Sequence, residues 1–385
     1  MSLRISFNKP YMTGKELYYI ANAHASRHLS GDGDFTRACN EWLQKLSGSP
    51  TVLLTHSCTA ALEMSALLCD IKPGDEVIVP SFTFVTTVSS FVMRGAVPVF
   101  VEIRPDTLNM DEKQIEENIT EKTKAIVPVH YAGVGCEMDE IMRIARAHGL
   151  RVVEDNAQGV MSTYKGKALG SFGDLAAVSF HETKNIISGE GGAIYINDES
   201  LKEKAEIIRE KGTNRARFFR GQVDKYTWED LGSSYLPSEI LAAFLYAQME
   251  EADKITATRL AIWDKYHQAF IDLEKKGKVR RPIVPKECQH NAHMYYIKCK
   301  DLEERTALIT HLKNNGVNAV FHYIPLHSAP AGLKYGRFFG KDEFTTKDSE
   351  RLLRLPMYSG LREKDVITVT DAIKDFYKVR RQGLR

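Results

Sequence analysis

The chain is poor in cysteine: six thiols in 385 residues, at positions 39, 58, 69, 136, 288 and 299, with no CxxC pair. That scatter excludes a disulfide framework and a zinc-ligand set, and it fits a reduced, cytoplasmic setting. Charge bias is missing too. Fifty-two Lys and Arg stand against fifty Asp and Glu, a net +2, so nothing calls for nucleic acid or a membrane surface as partner. Nor is there a long apolar run. The longest, "ILAAFLYA" at 240–247, is far short of the ~20 residues that cross a bilayer. The opening "MSLRISFNKPYM" lacks the apolar centre of a signal peptide. There is no internal repeat and no low-complexity segment, and the basic "KVRRQGLR" at the end reads as a solvated, frayed tail.

What is present suits a globular fold: 43% hydrophobic and 26% charged residues, at a length fitting two domains. Seven short runs read as strands: "TVLLT" (51–55), "DEVIVP" (75–80), "VPVFVEI" (97–103), "KAIVPVH" (124–130), "RVVED" (151–155), "DLAAVSF" (174–180) and "GAIYIN" (192–197). Most are continuously apolar, as strands buried on both faces are. Helical patterns such as "CTAALEMSALL" and "DEIMRIARAH" alternate with them, so the fold class is α/β with a mixed, mainly parallel seven-stranded sheet. The link between the last two runs is too short for a parallel crossover, so the seventh strand is expected antiparallel. A long helical pattern from Ser238, roughly 50 Å if unbroken at 1.5 Å per residue, leads into a smaller unit. There "HMYYIKCK" and "VNAVFHY" read as strands, and "ERTALITHLKNN" and "REKDVITVTDAIKDFYK" as helices. The division is a large domain at 1–250 and a small α+β domain at 251–385.

Ligands of an open α/β sheet bind at the carboxyl ends of its strands. Ser57, Cys58 and Thr59 follow the first strand where a helix begins, a place for a phosphate or for an ordinary N-cap. Phe82 or Phe84 follows the second, to lie on a flat ring or in the core. Asp155 closes the fifth, with Gln158 three residues on; a carboxylate there needs a partner, such as a protonated pyridine nitrogen. Ser179 closes the sixth and leads to Lys184. A helix start, an aromatic, a carboxylate and a lysine converging on one crevice suit pyridoxal 5′-phosphate, with the lysine forming the Schiff base.

The stretch "VVEDNAQGVMSTYKGKALGSFGDLAAVSFHETKNIISGEGGAIYIND" at 152–198 resembles the signature of the DegT/DnrJ/EryC1/StrS family, pyridoxal-phosphate-dependent sugar aminotransferases of fold type I. The likeness runs from "LSGDGDFTRACNEWL" to "TTKDSERLLRLP". It implies that Lys184 is the Schiff-base lysine, Asp155 pairs with the pyridine nitrogen, Gln158 lies near the ring hydroxyl and Phe84 stacks on the ring. Cys58, Thr59 and Ser179 would hold the phosphate. Family members act as homodimers in which an asparagine of the neighbouring subunit also reaches that phosphate. Here the motif reads "GSSYLPSE", and Ser234, with a shorter reach, stands in its place. Relatives with histidine at the lysine position act as dehydratases, so lysine here points to transamination. His181, close by, could orient substrate or serve the structure.

"HETKN", "EKGTNRARFFRGQVDKYTWEDLGSSYLPSE" and "FHYIPLH" resemble the members that aminate TDP-4-oxo-6-deoxy-D-glucose, with L-glutamate as donor, for enterobacterial common antigen. The product implied is TDP-4-amino-4,6-dideoxy-D-galactose. Such a substrate carries a diphosphate, and residues 209–225 hold six positive charges against two negative, Arg215 and Arg220 among them. Arginine forks suit phosphate oxygens, although a solvated loop or a dimer contact reads equally from the residues. Tyr323 and His327 would line the sugar site. The spacing of His322 and His327 across a proline gives no metal pair, and no metal is expected. Competing readings are the gluco epimer, another nucleotide keto sugar, or a non-catalytic cofactor-binding regulator. A dinucleotide dehydrogenase is rejected, because "SGEGGA" lacks the GxGxxG spacing.

Overall fold

The computed structural model describes residues 4–382. The strands are β1 (Thr51–Thr55), β2 (Glu76–Pro80), β3 (Val97–Val101), β4 (Thr123–Ile126), β5 (Arg151–Asp155), β6 (Thr163–Tyr164), β7 (Lys167–Ala168), β8 (Leu175–Ser179), β9 (Gly192–Ile196), β10 (Cys288–Gln289), β11 (Tyr296–Lys298), β12 (Arg337–Phe338) and β13 (Leu352–Arg354). The helices are α1 (Glu16–Ala25), α2 (Asp34–Ser47), α3 (Cys58–Leu68), α4 (Thr86–Val92), α5 (Met138–His148), α6 (Lys202–Arg209), α7 (Arg215–Phe219), α8 (Glu239–Glu250) and α9 (Ala252–Ala269). Then come α10 (Ile271–Lys275), α11 (Leu302–Asn314), α12 (Pro330–Tyr335), α13 (Thr345–Arg351) and α14 (Glu363–Gln382). No helix among the described residues is long and apolar enough to cross a membrane.

The main sheet runs β1-β9-β8-β5-β4-β2-β3-β12. Its seven long strands are the seven apolar runs, and β9 is antiparallel to both neighbours as expected. Alternation sends successive side chains to opposite faces. Leu53, Val77, Val79, Val153, Leu175 and Ala177 pack with Ala61 and Leu62 of α3. Their neighbours Val52, Leu54, Ala176 and Val178 pack on the other face with Leu43 of α2 and Leu245 of α8. Ile78 and Val152 meet Ile141 and Ile144 of α5 on that same face. Both faces are thus covered, which is why the runs are apolar throughout.

Three expectations are corrected. The helix from Ser238 is not continuous: at Glu251 the backbone swings to φ −103°, ψ 10°, separating α8 from α9. Each half follows its own core. Ala242, Leu245 and Met249 join the large sheet, whereas Ile262, Trp263 and Tyr266 join a cluster with Leu308, Leu312, Val369 and Ile373. "VNAVFHY" forms no strand, only single bridges from Val317 to Ile5 and from Val320 to Arg354. β11 pairs instead with β13, in the segment after α13. The sheet also gains an eighth strand, the two-residue β12, parallel to the edge strand β3. The basic C-terminal segment continues α14 through Gln382, and its last three residues lie outside those described.

Candidate active site

Strands β1, β2, β5 and β8 open at their carboxyl ends into one cavity of about 660 Å³, lined by Cys58, Thr59, Phe84, Asp155, Gln158, Ser179, His181, Lys184 and Tyr323. These nine positions come from the sequence reading; the sheet topology brings them together.

Asp155 is buried at the end of β5. Its Oδ2 accepts from Thr87 Oγ1 at 2.6 Å, and its Oδ1 accepts from Ala157 N at 3.1 Å. Because Thr87 donates there, the 2.8 Å contact between Thr83 and Thr87 hydroxyls has Thr83 as donor. Glu154, one residue earlier, faces the opposite side. It accepts from His130 at 2.8 Å and from the backbone of Gly170, Phe172 and Gly173 at 2.7–2.9 Å. One carboxylate is thereby fully spent on structure while its neighbour looks into the cavity.

At the start of α3, Ser57 is the N-cap and its Oγ accepts from Ala60 N at 3.1 Å. The Cys58 and Thr59 amides lie in the first turn, where helix amides have no intrahelical acceptor. Gly192 presses β9 against this point: a Cβ there would sit 2.4 Å from Ser57 C and 2.5 Å from Cys58 N. Only glycine permits that approach. Ser179 pairs with Gly192 in register, so the phosphate-sized corner is bounded by a helix start and two strand ends. Burial, with Asp155 adding to it, pushes the Cys58 thiol well above its usual range. Cys58 is a neutral side chain here and no nucleophile.

The chain leaves β8 at Ser179 and returns at Gly192. The loop is zipped by Phe180 N to Gly191 O at 2.8 Å, Glu182 N to Gly189 O at 2.8 Å and Ser188 N to Phe180 O at 2.7 Å. Lys184 projects from it, half-buried, its own amide bonded to His181 O at 2.9 Å. Desolvation lowers its pKa below the ordinary 10.5, against the opposing pull of Cys58 and Asp155 and with help from the Arg354 charge. Gln158 is held by Ala132 N donating to Oε1 at 2.7 Å, and its Nε2 reaches Tyr323 Oη at 3.4 Å. Phe84 is 55% exposed, an aromatic face left free at the cavity rather than folded into the core. Phe82 takes the core position.

Four expected site residues lie elsewhere in the subunit. Ser234 is exposed and bridges Glu210. Arg220 is clamped by both oxygens of Glu206, at 3.0 and 2.8 Å. Arg215 sits 3.6 Å from Glu210 and over the Phe219 ring at 5.0 Å. His327 binds Ser81 Oγ through Nδ1 at 2.7 Å and Asp342 through Nε2 at 3.2 Å, a latch between the end of β2 and the C-terminal region. None of the four lines this cavity.

The sequence reading missed His293, His322 and Arg354, which do line it. His293 Nδ1 bonds Asn185 Oδ1 at 3.1 Å and His322 Nδ1 bonds Tyr131 Oη at 3.0 Å. Burial first, then the nearby Lys184 and Arg354 charges, lowers both imidazoles well below their usual value. No local motif marks these residues; the packing of the C-terminal segments delivers them.

Residues 10–374 match the model of the DegT/DnrJ/EryC1/StrS aminotransferase family. The chain belongs to that family. The spore coat polysaccharide biosynthesis protein SpsC of Bacillus subtilis is 34% identical to it over 97% of each chain. GDP-perosamine synthase of Caulobacter vibrioides is 34% identical over 96% of this chain and 97% of its own. Among solved structures, the PLP form of Spr1654 from Streptococcus pneumoniae superposes with a TM-score of 0.88 at 26% identity, covering 97% of this chain and 98% of the other. The fold of this aminotransferase is therefore fold type I. Its donor set fits pyridoxal phosphate: a helix start for an anion, a buried carboxylate for a ring nitrogen, a desolvated amine and a free aromatic face.

Proposed function

We propose that this aminotransferase moves the amino group of L-glutamate to C4 of TDP-4-oxo-6-deoxy-D-glucose, giving 2-oxoglutarate and TDP-4-amino-4,6-dideoxy-D-galactose, with pyridoxal phosphate as cofactor. The observation that carries the reaction class is the desolvated amine of Lys184, set with the buried carboxylate of Asp155 in one cavity. The sugar rests on the likeness of "HETKN" and "FHYIPLH". Two relatives support a nucleotide-linked sugar and a polysaccharide destination by their names. We place the reaction in the cytoplasm, ahead of a surface polysaccharide such as enterobacterial common antigen or lipopolysaccharide.

When bound, pyridoxal phosphate supplies an aldehyde that captures amines and a ring that takes up the electron pair of a broken C–H bond. The residues do the rest. The amides of Cys58 and Thr59, with the Thr59 and Ser179 hydroxyls, would bind the phosphate. Asp155, steadied by Thr87 and Ala157, would hold the proton on the ring nitrogen. Gln158 and Phe84, which line the cavity, would hold the ring. Lys184 Nζ removes the proton from the α-carbon of glutamate and, in the second half, delivers one to C4 of the sugar; its lowered pKa favours the neutral, basic form. Tyr323 and His181 meet the sugar from the rim.

Ser234, Arg215, Arg220 and His327 belong to the same proposal from outside this cavity. We assign Ser234 and the two arginines to the site of a second copy, in a homodimer that shares its active sites. The exposure of Phe219 at 69% and Trp228 at 76% supports a covered surface there. His327 supports the sugar site indirectly, through its latch to Ser81.

The test supplies protein, pyridoxal phosphate, L-glutamate and TDP-4-oxo-6-deoxy-D-glucose, isolates the nucleotide sugar, and reads it by proton NMR. An amine at C4 with a small H3–H4 coupling is expected, marking an axial amino group and the galacto product. A large coupling gives the gluco epimer. The second reading, a GDP-linked keto sugar, is favoured by the GDP-perosamine synthase relatives. Turnover of that substrate alone would replace the first reading.

A further inference from the structure

The basic end of the chain has no part in the mechanism above. Residues 275–281 and 374–385 together hold ten Lys and Arg against one Asp, in a chain whose net charge is only +2. Far apart in sequence, the two stretches meet in the fold. The turn after α10 and the later turns of α14 border a cavity of about 550 Å³, lined by Lys276, Lys278, Lys374 and Lys378. It shares no lining residue with the Lys184 cavity. Lys378 pairs with Asp375 at 3.1 Å, on the surface. No carboxylate among the described residues pairs with Lys276, Lys278 or Lys374, although lysines close by are paired: Lys265 meets Glu363 at 2.9 Å and Lys300 meets Asp301 at 3.6 Å. One carboxylate, Asp272, also lines the cavity. Gly277, at φ 64°, turns the chain between Lys276 and Lys278, and Lys278 N bonds Leu273 O at 2.9 Å. Leu273 and Tyr377 give the cavity an apolar wall fixed in the C-terminal core, where Tyr377 Oη donates to Glu304 at 2.8 Å.

We infer that this cavity is a binding site for a compact soluble ligand carrying two or more phosphate groups. Basic residues near a helix end answer the negative pole of the helix. That accounts for Lys276 and Lys278, which follow α10, but not for Lys374, about two turns before the end of α14. Lys374 and Lys378 stand four residues apart on that helix, a spacing at which like charges repel. An anion between them relieves the repulsion. Ammonium groups are compact point charges that suit phosphate oxygens. Four of them around one cavity suit an anion with more than one phosphate, and its volume is in the range that small ligands fill. The apolar wall suits an organic group on the same ligand, as in a nucleoside diphosphate. An extended polyanion fits less well. The adjoining groove along α9 and α14 is lined by Asp264, Glu363 and Asp371, which repel a lipid surface or a nucleic acid strand, whereas a compact anion stays at the lysine end.

The test is calorimetry on the full-length holoenzyme at low salt, with inorganic pyrophosphate and ADP as probes; it does not depend on the transaminase reading. Saturable binding of at least one probe is expected. Its Kd should rise about tenfold in the pocket variant Lys276→Gln/Lys278→Gln/Lys374→Gln, the loss of three contacts at the strength of exposed ion pairs. A control with the same change in charge, Lys45→Gln/Lys113→Gln/Lys122→Gln, alters three exposed lysines elsewhere on the surface and should stay within about twofold of wild type, because solvent screens distant charges. Melting temperatures check that both variants fold. Equal affinity in the pocket variant overturns the proposal, as does an equal loss in the control, which marks a diffuse effect of charge. A wild type that binds neither probe overturns it too. If that protein floats with phosphatidylglycerol vesicles and the pocket variant does not, the lysines belong to a lipid surface instead.

Discussion

Lys184 owes its chemistry to where its loop holds it. An exposed lysine is almost wholly protonated at neutral pH; this one is shifted toward the neutral amine by desolvation. The sign follows: the neutral amine is the nucleophile, a lowered pKa raises its fraction at any given pH, and the gain saturates once pH passes the shifted value. The rate of pyridoxal phosphate uptake by apoenzyme should therefore rise with pH and level off below the ordinary lysine value of 10.5. Lys184→Ala should lower turnover by at least about 10²- to 10⁴-fold, the range for a lost general base; appreciable turnover in that variant would remove Lys184 from the mechanism. Thr87→Val deletes one donor to Asp155 without touching the cavity shape, and should lower kcat about tenfold, near the worth of one hydrogen bond to a charged group. Lys184, Asp155 and Thr59 were legible because each stands at or just past a strand end, where chain order alone predicts convergence. Arg354 was not: it follows Lys184 by 170 residues (354 − 184), and only packing brings it back.

Among the elements, legibility tracked length and burial. The seven runs covered on both faces declared themselves by unbroken apolar sequence. β12 and β13, two and three residues long, are too short to show a period, and "VNAVFHY" has strand composition without a partner edge. The α8–α9 break left no glycine or proline as a marker, because two cores pull one helical pattern in different directions. The contact of β9 with α3 is the most demanding fit in the site. Gly192→Ala drives a methyl into backbone rather than into a yielding side chain. We expect a loss of about 1–3 kcal/mol in stability and a weaker hold on pyridoxal phosphate, read by thermal melting and by equilibrium dialysis. Normal cofactor affinity in that variant would separate the strand contact from the anion corner.

For the whole molecule, the proposed sharing of active sites makes an arithmetic prediction. A K184A chain and an R215A/R220A chain, each impaired alone, complement in a mixed dimer, which contains one site with both Lys184 and an intact basic segment. Random assortment yields half mixed dimers, each with one working site of two, so activity should return to about a quarter of wild type. Unshared sites would restore nothing. Packing clusters cross residue 250 in both directions. Ile5 packs in the C-terminal cluster, and Leu326 and Phe338 pack with the large sheet.

That N-terminal segment touches both units. Ile5 bridges Val317, Met357 N bonds Phe7 O at 3.2 Å, Asn8 reaches Glu182 O at 3.2 Å beside the lysine loop, and Gln248 holds Tyr11 O at 2.8 Å. Phe7 and Asn8 also line the cavity. A purification tag fused at the front of the chain would thus sit beside the cavity that the proposed nucleotide sugar has to enter. Kinetics on such a preparation would describe the tag as much as the enzyme, and the handle belongs at the other end.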